Sequence, residues 1–306
     1  MIEHIVLVHG GAGDITDSAK IPILLAGVKA AALEGYRKLQ ETGCVLDAVE
    51  YAVRNLEDNE NFNAGKGSVI NTDGEVEMDA SIQCGKTLDC GAVTIVKDVK
   101  NCITLARKVM ENTEHTILGA EGARRFAIDQ GLDLMEPGAL VTERRIEDLK
   151  RILAKRQEPK CEMGTVGSVA INSKGNLAAA TSTGGREGKM PGRCSDTSQI
   201  GSGTFADDAI GCVSTTGHGE SIMKVCLAYN ILENHKAGMS IQDATKKGVN
   251  DMTAKVGNTA GAIAISHNGE VGVGFSSNRM SWAYIKGNEV HFGVDQDQHD
   301  IETITI

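Results

Sequence analysis

Aromatic residues make up only 3% of this 306-residue chain, and there are four prolines. Its core must therefore be filled by Val, Ile, Leu and Ala, and with 36 glycines the composition describes a tightly turned sheet-and-helix protein, not a fibrous or low-complexity one. The net charge is −10 and no basic stripe is present, which argues against nucleic acid as a partner, because phosphate contacts need clustered Lys and Arg. No apolar run approaches the ~20 residues of a membrane span. The opening MIEHIVLVHGG has no basic n-region or cleavage-site pattern. The expectation is a soluble protein of the cytoplasm with no membrane partner.

Motifs of several familiar chemistries are missing as well. The eight cysteines form no CxxC pair and no metal-finger spacing. Cys84, Cys102, Cys212 and Cys226 sit among apolar or small neighbours, where a reduced thiol packs as a small hydrophobe. There is no HExxH, and Asp58, Glu60, Asp73, Glu75, Glu77 and Asp79 lack the spacing of a calcium loop, so most of them are expected to be solvated. His9-Gly10-Gly11-Ala12-Gly13 suggests an oxyanion turn, but no GxSxG accompanies it, and it lacks the third glycine of a dinucleotide fingerprint. A tight turn and a functional role stay equally open for it.

Periodicity predicts a strand over residues 4–11, then a helix over 18–42 with a stripe at Leu24, Leu25, Val28, Ala32, Tyr36 and Leu39, stopped by Gly43. A second helix carries Val45, Val49, Ala52, Val53 and Leu56. A polar loop (56–68) and short strands in EVEMDASIQ and GAVTIV follow, then helices over 103–112 and 119–130. The charged run from Thr142 to Pro159 reads as a solvated tether and the one break in the chain. Beyond it, GTVGSVAIN and GNLAAATST form a hairpin of strands too continuously apolar to have a wet face. AIGCVSTTG, AGAIAIS, EVGVGFSS and EVHFGV read as strands, with helices through SIMKVCLAYNILE and over 240–255. Two blocks of buried strands with helices around them, and no alternating βαβ series, favour a layered sandwich over a doubly wound sheet.

Three Thr-Gly clusters crowd the second half: Gly164-Thr165, Thr181-Ser182-Thr183-Gly184-Gly185 and Ser214-Thr215-Thr216-Gly217. Each falls at a predicted strand end, so all three can converge at one sheet edge. A threonine hydroxyl is a poor nucleophile without an adjacent base. No His or Lys lies near Thr165 in sequence. Its own α-amine, titrating near ~7.7 to 8, would serve if the chain began there. That requires cleavage between Gly164 and Thr165, which a glycine favours by tolerating a strained backbone at the attacked carbonyl.

The segments HGGAG, NFNAGKGSVIN, GEVEMDASI, GTVGSVAI, GNLAAATSTGG, KMPGR and STTGHGES together resemble the plant-type L-asparaginase and isoaspartyl peptidase family, above all its animal cytosolic members. The resemblance spans nearly the whole chain. It implies a single α+β domain over 1–306, a four-layer αββα sandwich of the N-terminal nucleophile hydrolase fold. It further implies self-processing into an α chain (1–164) and a β chain (165–306), with the tether at about 142–164. The implied activity is hydrolysis of L-asparagine and of isoaspartyl dipeptides. Related alternatives are a glycosylasparaginase-like amidase and an unprocessed ligand-binding homologue.

Carried over residue by residue, Thr165 matches the nucleophile, Thr183 the supporting threonine, and Thr216 with Gly217 the oxyanion pair. Arg193 matches the partner of the substrate carboxylate, while Asp196 and the Gly219 carbonyl match the partners of its ammonium. Asn63 matches a residue that organises the site. The loop LEDNENFNAGKG matches a structural sodium loop, with ligands from the backbone carbonyls of Leu56, Glu57, Asn59, Phe62, Ala64 and Lys66. No cofactor is implied for the chemistry. The implied assembly is a homodimer of αβ units. Where the family reads Gly-Arg-Val-Gly-Asp-Ser-Pro, this chain reads Gly192-Arg193-Cys194-Ser195-Asp196-Thr197-Ser198, so the loop carrying Asp196 is expected to differ.

Overall fold

The computed structural model describes residues 2–155 and 164–305. Their elements, in chain order, are β1 (Ile5–Gly13), α1 (Ile21–Thr42), α2 (Val45–Glu57), β2 (Met78–Cys84), β3 (Cys90–Val96), α3 (Cys102–Asn112), β4 (Ile117–Gly119), α4 (Ala120–Asp129), α5 (Glu143–Lys155), β5 (Val166–Ile171), β6 (Leu177–Thr183), β7 (Thr204–Asp207), β8 (Gly211–Gly217), α6 (Gly219–Val225), α7 (Leu227–Lys236), α8 (Ile241–Val256), β9 (Ala260–Ser266), β10 (Val271–Phe275), β11 (Arg279–Lys286), β12 (Glu289–Gly293) and β13 (Asp300–Thr303). The strands build a nine-stranded sheet, β13-β12-β11-β1-β5-β6-β2-β3-β4, and a four-stranded sheet, β10-β9-β8-β7.

Alternation along the strands explains the layering. Side chains two residues apart share a face, so in β1 Val6 and Val8 join the core under α1 and α2. Ile5 and Leu7 point the other way and meet Cys212, Ile263 and Ile265 of the small sheet. A third core lies between the small sheet and its helices, where Val213 and Ala262 meet Leu227, Ile231 and Val249. The result is helix, sheet, sheet, helix, and β5 and β6 are buried on both faces as their unbroken apolar runs require. α1 ends at Gly43, whose φ of 67° caps the helix in the left-handed region.

Several local features differ from the sequence reading. The helix expected through 221–233 breaks at Cys226 (φ 48°), because the next amides leave the helix: Ala228 and Tyr229 donate to the carbonyls of Ser202 and Gly201. Cys226 is accordingly exposed, whereas Cys102 and Cys212 are buried and Cys84 is half-buried. β4, β7, β11 and β13 are absent from the sequence reading; in β11, Arg279 and Ser281 interrupt the apolar pattern.

The charged run after Thr142 is also not simply a solvated tether. Over Glu143–Lys155 it is a helix docked by Arg145, which is 3% exposed. Arg145 Nε donates to the Gly67 carbonyl (2.9 Å) and Nη1 to Glu187 (3.1 Å). The rest of the expected tether up to residue 163, including Cys161, lies outside the described residues.

Candidate active site

The three Thr-Gly clusters meet at one end of the space between the sheets. β5 and β6 pair antiparallel with Val166 opposite Ser182, and continuing that register by one residue sets Thr165 opposite Thr183. β8 faces this hairpin from the small sheet and brings Thr216 to the same end. Gly164 fills the gap between them so tightly that a Cβ there would lie 2.3 Å from Thr216 Oγ1 and 2.9 Å from the Ala12 carbonyl. Gly11, at φ 107°, supplies the opposite wall, and a Cβ on it would strike the Gly164 backbone at 2.6 Å. The HGGAG turn thus packs on the Gly164-Thr165 junction. Ala12 N donates to Thr216 Oγ1 at 3.2 Å.

Asn63 holds the turn after β6. Its Nδ2 donates to the Gly185 carbonyl (2.7 Å), its Oδ1 accepts from Val69 N (2.9 Å), and its carbonyl accepts from Gly184 N. Gly185 N returns a bond to Thr183 Oγ1 (2.9 Å). Thr183 is therefore locked from both sides. Gly217, at φ 122°, ends β8 and leads into α6, whose first residue is Gly219.

Charge is placed just beyond these hydroxyls. A Cβ on Gly219 would lie 2.5 Å from Asp196 Oδ1 and 2.7 Å from Arg193 Nη2, and one on Gly185 would lie 3.1 Å from Arg193 Nη1. Asp196 and Arg193 thus both lie against Gly219, and Arg193 also reaches Gly185. Arg193 is presented edge-on by Glu220, which accepts from Nε and Nη2 at 3.0 Å each. Burial pushes the Asp196 carboxyl up to about 7, although the Arg193 charge pulls it down. A cavity of about 510 Å³, walled by residues 186–193 and Glu220, opens beside Arg193. A larger one of about 750 Å³ is lined by none of the residues named so far in this site.

A model of the asparaginase family matches residues 2–294. The chain belongs to this family. It is 46% identical to an isoaspartyl peptidase/L-asparaginase of Xenopus laevis, over 97% of each chain. The human isoaspartyl peptidase/L-asparaginase is 45% identical over 97% of this chain and 98% of its own, and the Bos taurus protein 45% over 95% and 96%.

Within this asparaginase-family site, the serines at 195 and 198 prove compatible with the loop they occupy. Ser195 is extended (φ −95°, ψ 172°), a conformation open to any residue. Its Oγ accepts from Thr197 N (3.2 Å), and Ser198 Oγ donates to its carbonyl (3.3 Å). The anchors beneath this loop were missed in the sequence. Glu77 and Asp79, of the acidic set expected to be mostly solvated, are 2% and 1% exposed, while Asp58, Glu60, Asp73 and Glu75 are exposed as expected. Glu77 accepts from Gly192 N and Asp79 from Ser195 N, while buried Lys189 donates to the Glu77 carbonyl (2.6 Å). The alternation of GEVEMDASI, which puts Glu77 and Asp79 on one strand face, was the available signal.

The loop after α2 curls on two glycines. A Cβ on Gly65 would lie 2.1 Å from the Glu57 carbonyl, and one on Gly67 2.0 Å from the Phe62 carbonyl. The carbonyls of Leu56, Asn59 and Ala64 each accept one turn hydrogen bond, which leaves each a second lone pair. Such an array of backbone oxygens is the donor set a monovalent cation takes. Lys66 is exposed, and its side chain points to Glu60 at 3.9 Å. No cluster of three or more His, Cys, Asp or Glu suited to a metal occurs among the described residues.

Proposed function

We propose that this chain is a self-processing threonine amidohydrolase that opens the side-chain amide of L-asparagine and the β-peptide bond of isoaspartyl dipeptides. The observation that carries this reading is the confinement of the Gly164-Thr165 junction between Gly11, Ala12 and Thr216, with Arg193 and Asp196 both against Gly219. In self-processing, Thr165 Oγ attacks the Gly164 carbonyl, the acyl group moves from nitrogen to oxygen, and water hydrolyses the ester. The freed amine is then the base for catalysis. Thr165 Oγ attacks the substrate β-carbonyl and its proton passes to that amine. Thr216 and the Gly217 amide meet the oxyanion. A missing donor of this kind typically costs ~100-fold or more. Collapse expels ammonia or an amino acid, which takes the proton, and water then releases aspartate from Thr165.

Denaturing electrophoresis with an activity assay tests the reading. Purified protein should resolve into two bands after incubation and should release aspartate from L-asparagine and from an isoaspartyl dipeptide. A lasting single band without turnover would leave a ligand-binding protein. Preference for a glycosylated asparagine would make it a glycosylasparaginase. We also propose a cytoplasmic dimer of αβ units, a placement supported by the unpaired state of all seven cysteines among the described residues. No helix among those residues is long and apolar enough to cross a membrane.

The charge state of Asp196 yields a pH test. Its carboxyl titrates at about 7 because burial disfavours the anion. As pH falls through this value it becomes neutral and ceases to attract the substrate ammonium. KM for L-asparagine should therefore rise below about 7, approaching tenfold per unit. An Asp196→Asn protein should have a high KM with no such limb. A KM independent of pH in the parent would count against Asp196 as the ammonium partner.

The 56–67 loop is proposed to hold a sodium ion through the carbonyls of Leu56, Glu57, Asn59, Phe62, Ala64 and Lys66, and so to brace Asn63. A ligand at 100 times its Kd stabilises by about 2.7 kcal/mol, and each kcal/mol moves Tm by about 2–4 °C in a chain of this class. Replacing sodium chloride with tetramethylammonium chloride at equal ionic strength should lower Tm by several degrees. An unchanged Tm would rule out the ion.

A further inference from the structure

The buried imidazole of the HGGAG turn has no part in the chemistry above. His9 is fully buried, and its Nε2 lies 2.9 Å from Ser214 Oγ. From there a run of hydroxyls crosses between the sheets: Ser214 to Thr181 (2.8 Å), Thr181 to Thr204 (2.6 Å), Thr204 to Ser81 (2.7 Å), and Ser81 to the Thr197 carbonyl (2.6 Å). Every residue in the run is 0% exposed, and Asp196, the neighbour of its last member, is 2% exposed.

The placement of this ladder follows the two-residue period of strands. Thr181 lies two residues before Thr183, Ser214 two before Thr216, and His9 two before Gly11. Gly167 lies two residues after Thr165. Thr197 follows Asp196. On β6 and β8 the ladder residue thus occupies the next same-face position behind a residue of the proposed site. Gly167 makes the crossing possible, since a Cβ there would lie 2.0 Å from Ser214 Oγ and 2.6 Å from His9 Nε2. At the end of the run, His9 Nδ1 is buried without a hydrogen-bond partner, and His9 pairs across the sheet with Gly167, two residues beyond Thr165, whose backbone acts on the ring against the effect of burial. An orphaned buried nitrogen is costly and calls for a reason.

We infer that His9 is a positioning residue for the nucleophile: the hydroxyl ladder fixes its imidazole against β5, and Nδ1, unpartnered in this structure, takes up the Thr165 main chain during reaction and keeps it in register with Thr183 and Thr216. This rests on the proposed threonine-nucleophile reading. Burial drives the His9 pKa down to about 3, so the ring stays neutral at working pH and takes no proton from Thr165.

The test compares His9→Asn, whose amide can replace the Nδ1 contact, with His9→Gln, whose amide can replace the Nε2 contact, alongside His9→Ala and Ser214→Ala. Self-cleavage rate, kcat, KM and Tm are measured on each. A displacement of about 1 Å at a reacting atom costs on the order of 100-fold. The expected result is a 10- to 100-fold fall in kcat and in cutting for His9→Ala, KM within threefold, and no new pH limb. His9→Asn should recover more kcat than His9→Gln, even where its Tm is lower. If kcat merely follows Tm across the set, or His9→Gln equals the parent, the inference fails. If His9→Ala does not fold, the Asn and Gln comparison decides it. A parent protein that neither cuts nor turns over would instead overturn the underlying reading.

Discussion

A Thr165→Ala protein should remain a single chain on a denaturing gel and lose turnover by a factor on the order of 10⁶, the scale found when the nucleophile of a hydrolytic triad is deleted. The substitution removes the only atom that attacks both the Gly164 carbonyl and the substrate. It leaves the α-amine unborn as well, because that amine appears only when the bond is cut. Nucleophile and base are thus lost in one step, which no deletion in a serine–histidine pair achieves. Thr165 is 5% exposed and begins the central β5–β6 hairpin, so an Ala there should cost little stability. Thr165→Ser, which keeps the Oγ, should still cut. A cut Ala chain, or turnover within 100-fold of the parent, would remove Thr165 from its role.

Gly164→Ala should slow self-cleavage at least ~100-fold while sparing catalysis. The added Cβ would sit 2.3 Å from Thr216 Oγ1 and 2.9 Å from the Ala12 carbonyl, distances that real Cβ atoms do not reach. One neighbour is main chain and the other Thr216, of the proposed oxyanion pair, so relief must come from displacing the junction itself. A 1 Å displacement of reacting atoms carries about that cost. The effect should be confined to processing. Once a molecule is cut, the substituted position is a free chain end, and turnover per cut chain should match the parent. Band intensities over several days, set against turnover, measure both. Cutting at the parent rate would show that the junction is not confined as described.

The parts of this site that follow strand chemistry were readable along the chain. β5 starts directly after Gly164-Thr165, β6 and β8 run out into Thr-Gly, and those ends do converge. The pair Arg193 and Asp196 needed the family resemblance, since no local pattern marks one Arg or Asp as facing a substrate. Three-dimensional anchors were harder to reach. Glu77 and Asp79 meet the loop at 192–195 across 115 and 116 residues; strand alternation puts them on one face, but it puts the exposed Glu75 there too and so cannot show which carboxylates are buried. Arg145 misleads in the same way. It stands in a charged helix whose composition predicts solvent, yet its partners, Gly67 and Glu187, lie 78 and 42 residues away.

The strand order has a consequence for what a cut at Gly164 would leave behind. The first product would own β1 through β4 and the second β5 through β13, yet the large sheet interleaves them: β1 lies between β11 and β5, and β2 lies against β6. Three ladders, β1–β11, β1–β5 and β2–β6, would then join different polypeptides. Neither product would hold a complete large sheet, so the two would form an obligate pair with no folded monomer of either. Folding of the uncut chain is unimolecular, whereas reassembly from separated halves would be second order in concentration. Cleavage would thus be an irreversible commitment: a protein that unfolds after it has lost the connection by which it first folded.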